Sequence, residues 1–141
     1  MSNYLVYNKD GKEFGGLNLY TGTSVAYNSA DAQLRDKGID INRPLASNWL
    51  QQVIPVNDAI LKVPGSNQLE GFSFESITSH NALVAAFNVG DQVTESDKLQ
   101  VDDILLVQQD DDYFILKVTQ VVVTDANNDD YYEFSIKKSE M

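Results

Sequence analysis

The last third of the chain constrains the fold most. Leu99 to Val107, Tyr113 to Thr124 and Tyr131 to Lys138 form three successive runs rich in apolar residues. In the second run Phe114, Leu116, Val118 and Val122 are spaced by even intervals, and in the third Tyr132, Phe134 and Ile136 alternate. A strand sends successive side chains to opposite faces, so this spacing marks a sheet with one face buried. The polar segments Gln108–Asp112 and Asp125–Asp130 separate the runs and read as hairpin loops. The expected closing unit is a three-strand antiparallel meander, and everything upstream must find a place against it.

Upstream, Tyr4–Tyr7 and Lys12–Phe14 are expected to pair about the turn Asn8-Lys9-Asp10-Gly11, because Asp-Gly tolerates positive φ. Leu17–Tyr20, Ser24–Tyr27 and Ala59–Val63 read as further strands, and Leu69–Phe74 alternates. Val53–Val56 carries Pro55, which cannot donate to a ladder, so it belongs at an edge or a bend. One or two short helices are expected, near Ala30–Lys37 and Ser79–Phe87. For the first, Asn28 or Ser29 is the cap and Gly38 the left-handed end. Ala30, Ala32 and Leu34 also alternate as a strand requires, so that stretch stays open between helix and strand. For the second, Ser79 is the cap, with Leu83, Val84 and Phe87 on one face. The expected core is Leu17, Leu19, Trp49, Ile60, Phe72, Phe74, Leu83, Phe87, Leu106, Phe114, Leu116, Val118, Phe134 and Ile136. The fold class is mainly β (β-rich α+β): an antiparallel sandwich or partly closed barrel ending in the meander, in a single domain over residues 1–141.

The chain carries 21 acidic against 10 basic residues, a formal charge of −11. Such a field repels phosphate backbones and anionic lipid, so nucleic acid and membrane surfaces are poor partners, whereas basic protein surfaces are attracted. No apolar run approaches the ~20 residues that span a bilayer, so no membrane insertion is expected. Met1–Asp10 has no basic cluster followed by an apolar run, and no export signal is read there. With no cysteine, disulfides and thiolate metal sites are excluded.

Few residues carry a chemical signature. His80 is the single histidine, which excludes a two-histidine metal or haem site within one chain, and it falls in the first turn of an expected helix. No phosphate-cradling glycine loop or G-x-S-x-G elbow is present. Asp125, Asn127 and Asp129 match the D-x-[DN]-x-[DN] opening of a calcium loop, in which alternate side chains converge their oxygens. Asp130 then stands where glycine would turn the loop, and Ile136 where the bidentate glutamate would close it. The set Asp125, Asn127, Asp129 and Asp130 is therefore a candidate calcium hairpin rather than an EF-hand, with Asp110–Asp112 or Asp102-Asp103 as additional donors. No other cofactor is expected. Tyr7, Tyr20, Tyr27, Tyr113 and Tyr131 lie at strand or loop ends, where amphipathic rings serve sugar- or protein-binding surfaces, although strand packing is the expected role of most of them.

Several short motifs occur in order: Leu17-Asn-Leu-Tyr-Thr-Gly22, Ser29-Ala-Asp31, Ile54-Pro-Val-Asn57 with Ala59-Ile-Leu61, Phe72-Ser-Phe-Glu-Ser-Ile-Thr78, and Val101-Asp-Asp-Ile-Leu-Leu-Val107 followed by Asp112-Tyr-Phe-Ile-Leu-Lys-Val118. This order resembles an uncharacterised β-rich module of secreted and surface bacterial proteins, and its terminal hairpin is distantly similar to that of HmuY-like haem-binding lipoproteins. Asp102 replaces the glycine of that pattern, the turn at Asp110-Asp111-Asp112 has no glycine, and the histidine pair of the haem binders has no counterpart. The resemblance implies an extracellular or cell-surface setting. The expected function is a non-enzymatic binding or protein-interaction module, its ligand a protein or a glycan. Two alternatives are kept. A carrier of a hydrophobic cofactor needs a closed apolar pocket of at least ~300 Å³. A glycan-directed enzyme needs two carboxylates about 5–9 Å apart in a cleft.

Overall fold

The computed structural model describes residues 3–7, 15–44, 47–66, 68, 70–123 and 130–138, the first of these by backbone alone. Among the described residues there are ten strands and one helix: β1 (Asn3–Tyr7), β2 (Gly16–Asn18), β3 (Thr23–Val25), β4 (Leu34–Asp36), β5 (Val53–Pro55), β6 (Ile60–Val63), α1 (His80–Asn88), β7 (Asp91–Val93), β8 (Ile104–Gln109), β9 (Asp112–Val122) and β10 (Tyr131–Lys138). They form a six-stranded sheet, β1-β10-β9-β8-β6-β7, and a four-stranded sheet, β3-β2-β4-β5. All the strand pairs are antiparallel. Two packed antiparallel sheets make a sandwich, not a barrel.

The meander forms as expected, with β8, β9 and β10 adjacent. Its first strand starts later than Leu99, at Ile104, because Asp102 turns the chain at φ 77°. Gln109 pairs with Asp112, so the first hairpin turns on Asp110 and Asp111 alone, with Asp110 at φ 53°. β9 bulges: Glu133 pairs with Gln120 but Phe134 with Val118, leaving Thr119 as the extra residue. A bulge inverts the alternation beyond it. Val121, opposite the buried Tyr132, therefore packs on the core in the place that simple alternation assigned to Val122. Thr119 Oγ1 donates across the bulge to Glu133.

One buried face is too few for this sheet. Leu105, Leu106 and Val107 are all buried, as are Phe114, Ile115 and Leu116. Leu105, Val107, Phe114, Leu116, Val118, Tyr132 and Phe134 face Leu17, Leu34, Trp49 and Val53 between the sheets. On the opposite face, Leu106 and Ile115 meet Phe74, Ile77, Leu83, Ala86 and Phe87. The helix and the turn before it thus make a third layer over the middle of the six-stranded sheet. Ile60, Phe72 and Ile136, expected in the core, are only partly buried at its margins.

Ser79 caps α1 as expected: its Oγ accepts from Ala82 N at 3.1 Å while its own backbone is extended. The spacing of Leu83, Ala86 and Phe87 aims one face at the sheet. The helix expected near Ala30–Lys37 is instead a turn followed by β4, because Ala32, Leu34 and Asp36 alternate inward and β4 is paired on both sides, to β2 and β5. Gly38 does take positive φ, at 99°, but ends a strand. β5, with Pro55, lies at the edge of its sheet. Leu69 and the returning segment Lys12–Phe14 lie outside the described residues, and the described partner of β1 is β10. Residues 70–74, of the alternating Leu69–Phe74 stretch, are turn and irregular backbone rather than strand.

The two sheets are tied at a polar point inside the core. Asp36 is fully buried on β4. Its carboxylate accepts from Trp49 Nε1 (3.0 and 3.2 Å), from Tyr132 OH (2.7 Å) and from Gly38 N (2.9 Å). Burying a carboxylate is costly unless donors replace its water, and four such bonds do so here. Burial, with the Asp36 charge beside it, drives the Tyr132 hydroxyl well above its ordinary pKa of 10.0. This explains why Trp49 is a core anchor.

Candidate functional site

At one end of the six-stranded sheet, beyond the cover of the helix layer, two turns stand apart over the strands. One is the turn of residues 72–77. Ser73 N donates to Ser76 Oγ and Ser76 N to Ser73 Oγ, both at 3.0 Å, which closes the turn on itself. Lys137 reaches over from β10 and donates to Phe74 O (2.7 Å) and Ile77 O (2.9 Å), its ammonium 4.4 Å above the Phe74 ring. The other is the segment 96–103. Ser96 N donates to Val53 O (2.9 Å), Val53 N to Ser96 Oγ (3.0 Å) and Leu99 N to Gln51 O (2.8 Å). Gln51 also donates to Leu99 O. Asp102 N donates to Val118 O (2.8 Å), and Asp103 Oδ2 accepts from Gln100 N (2.8 Å). Both walls are held by backbone bonds, so the space between them is preformed.

That space is an open groove of about 590 Å³. Its apolar lining comes from Val63, Pro64, Phe72, Phe74, Leu99, Ile104 and Leu105. Four carboxylates, Glu75, Asp97, Asp102 and Asp103, one ammonium, Lys117, and Ser73 and Ser96 complete it. Lys117 bridges the walls, 3.1 Å from Glu75 Oε2 and 3.7 Å from Asp102 Oδ1. Its side chain is 26% exposed, whereas those of Glu75 and Asp102 are 67% and 77% exposed, so the carboxylates still face water. The hydrogen bond from Lys117 holds the Glu75 carboxyl below its usual range, and the same bond raises Lys117. The Asp97 carboxylate has no hydrogen-bond or ion-pair partner among the described residues. Chemically the groove offers aliphatic contact below and negative charge above.

A smaller recess of about 270 Å³ lies by β4, lined by Tyr27, Asn28, Ser29, Arg35, Val56 and Asn57. Asn57, at φ 55°, donates to Ser29 O (3.0 Å) and Ala32 O (2.7 Å) and so pins the loop beneath it.

Of the candidate calcium ligands, Asp125, Asn127 and Asp129 lie outside the described residues, and Asp130 is buried at the head of β10. Of the additional donors, Asp102 and Asp103 line the groove, and Asp112 accepts from Tyr20 OH at 2.7 Å. Among the described residues no group of three or more His, Asp or Glu side chains is arranged to hold a metal. His80 opens α1, exposed, its ring edge-on to Tyr113 at 6.1 Å. Of the end-of-strand tyrosines, Tyr113 meets Phe87 edge-on at 5.2 Å, Tyr20 meets Phe114 at 5.3 Å while remaining exposed, and Tyr27 lines the smaller recess.

Glu75 and Asp97 carry no pattern that singles them out in the sequence. The groove does leave one trace there, Asp102-Asp103 within an otherwise apolar run, since aspartate is depleted in strands. No helix among the described residues is long and apolar enough to cross a membrane. No protein-family model, curated protein or solved structure matches the chain.

Proposed function

We propose that this chain is a non-enzymatic interaction module that receives a segment of a partner protein in the groove between residues 72–75 and 96–103. The observation that carries this reading is the groove itself: about 590 Å³ of preformed space with an apolar lining and charged rims. Binding sites are concave, mostly apolar and furnished with a few placed polar groups, and this one is built on backbone-braced turns. An open trough suits an extended chain passing through it better than an enclosed small molecule. A surface or secreted setting for the module follows from the sequence resemblance alone.

The test is a selection of random dodecapeptides on the immobilised protein, followed by mapping of amide shifts on isotope-labelled protein. Enriched peptides should perturb residues 63–64, 72–75, 96–105 and 117, and lose binding to Asp97→Trp, which fills the groove from an exposed position. Shifts that map elsewhere, or equal binding to Asp97→Trp, overturn the reading.

A further inference from the structure

The groove has a charge polarity, and its own lysine shows which ligand charge that polarity accepts. We infer that the occupant is a basic segment, a lysine or arginine flanked by aliphatic side chains, and that Lys117 holds in the free protein the place the partner's cation takes. This rests on the groove being a binding site.

Three observations lead there. First, Glu75 and Asp102 stand on opposite walls, yet one ammonium reaches both, at 3.1 and 3.7 Å. The spacing across the groove is therefore that of a carboxylate pair about a cation. Second, the supply of negative charge exceeds what Lys117 can neutralise. Asp97 has no partner among the described residues, and the other three rim carboxylates have between them Lys117 and one backbone amide, with the Lys137 ammonium acting on Glu75 from the Phe74 side, so carboxylates still outnumber ammonium groups by four to two. An anionic segment would meet uncompensated carboxylates and find Lys117 and Lys137 both engaged. A cationic segment meets complementary charge, within the field of a chain carrying −11. Third, the lining beneath is Val63, Pro64, Phe72, Leu99 and Ile104, which suits the methylene stems of lysine and arginine as well as a neighbouring leucine.

Because Lys117 competes for the same carboxylates, removing it should improve binding of a basic ligand. A site that used Lys117 as a ligand group would respond in the opposite sense. The competing contacts are solvent-accessible ion pairs, so the gain is about two- to fivefold in affinity.

The experiment titrates three tetrapeptides into isotope-labelled full chain and reads amide shifts: Ac-Leu-Lys-Leu-Arg-NH2, Ac-Leu-Gln-Leu-Gln-NH2 and Ac-Leu-Glu-Leu-Glu-NH2. The basic peptide should bind in the groove most tightly, weaken as salt rises, and weaken again with Asp97→Asn or Asp102→Asn. Lys117→Gln should tighten it two- to fivefold, with core amide shifts unchanged as the check on folding. Equal binding of all three peptides in the groove leaves the interaction reading standing and overturns the charge assignment. So does preference for the acidic peptide, or weaker basic-peptide binding to Lys117→Gln. No groove shifts with any peptide overturns both.

Discussion

Replacing Tyr132 with phenylalanine isolates the bond that ties the sheets. The Tyr132 hydroxyl is buried, 2.7 Å from Asp36 Oδ1 and 3.3 Å from Gln52 O. Tyr132→Phe keeps the ring where it is, 4.5 Å from Trp49 and 5.7 Å from Phe134, so packing loss is small. What goes is a short bond to a buried carboxylate, and bonds of that kind contribute about 1.5–3 kcal/mol. Asp36 retains Trp49 Nε1 and Gly38 N, which sets the expectation near the lower half, about 2 kcal/mol. For a chain of this length that is a fall in Tm of about 6–8 °C. Urea unfolding should show the midpoint drop with the slope unchanged. Adding Trp49→Phe removes the second side-chain donor to the buried carboxylate, so the double variant should lose more than the sum of the singles, by about 1 kcal/mol or more. A loss below about 0.5 kcal/mol for Tyr132→Phe, or strict additivity, refutes the claim that Asp36 depends on these two donors.

Four further expectations follow from the same contacts. Above pH 10 the unfolded chain ionises Tyr132 while the folded chain keeps it neutral, so stability falls as pH rises, by up to about 1.4 kcal/mol per unit from this group. Urea midpoints from pH 9 to 11 should fall less steeply in Tyr132→Phe than in the parent, and parallel curves would contradict the assignment. Asp110 holds φ 53° at the first position of a two-residue hairpin, so Asp110→Gly should stabilise by about 0.5–1 kcal/mol in thermal unfolding, and a loss would mean that the turn is not strained. A Cβ at Gly16 would stand 2.7 Å from Ala26 O and 3.2 Å from Ala32 Cβ, so Gly16→Ala should cost about 1–3 kcal/mol, and neutrality would show that the loop over β2 yields freely. Ile115→Ala and Leu116→Ala should each cost about 2–5 kcal/mol although they face opposite layers, whereas a one-sided sheet would make Ile115→Ala nearly free.

How much was legible differs from element to element, for physical reasons. Local signals are legible in the sequence. β10 falls on Tyr131–Lys138, Ser79 caps α1, and Pro55 sits at a sheet edge, because each depends on a period, a hydroxyl or a missing donor within a few residues. Asp102 adopts a left-handed backbone, φ 77°, that no local signal marks. The segment 30–37 stays open between helix and strand in the sequence because cap and propensity favour a helix locally, while pairing to β2 and β5, invisible in the sequence, makes its end a strand. The bulge at Thr119 shifted Val121 inward for the same kind of reason.

The sequence by itself determined the class: a β-rich chain closing in a meander, with a short capped helix and a strong negative field. Periodicity, caps and net charge are properties of neighbouring residues or of sums, and they survive without coordinates. Only the tertiary structure decided that the meander is covered on both faces, that Asp36 and Tyr132, 96 positions apart, share a proton-bearing contact, and that Glu75, Asp97 and Asp102 rim one groove about Lys117. Such juxtapositions arise from long-range packing and pairing, whose energy depends on which surfaces meet, and no spacing along the chain records that.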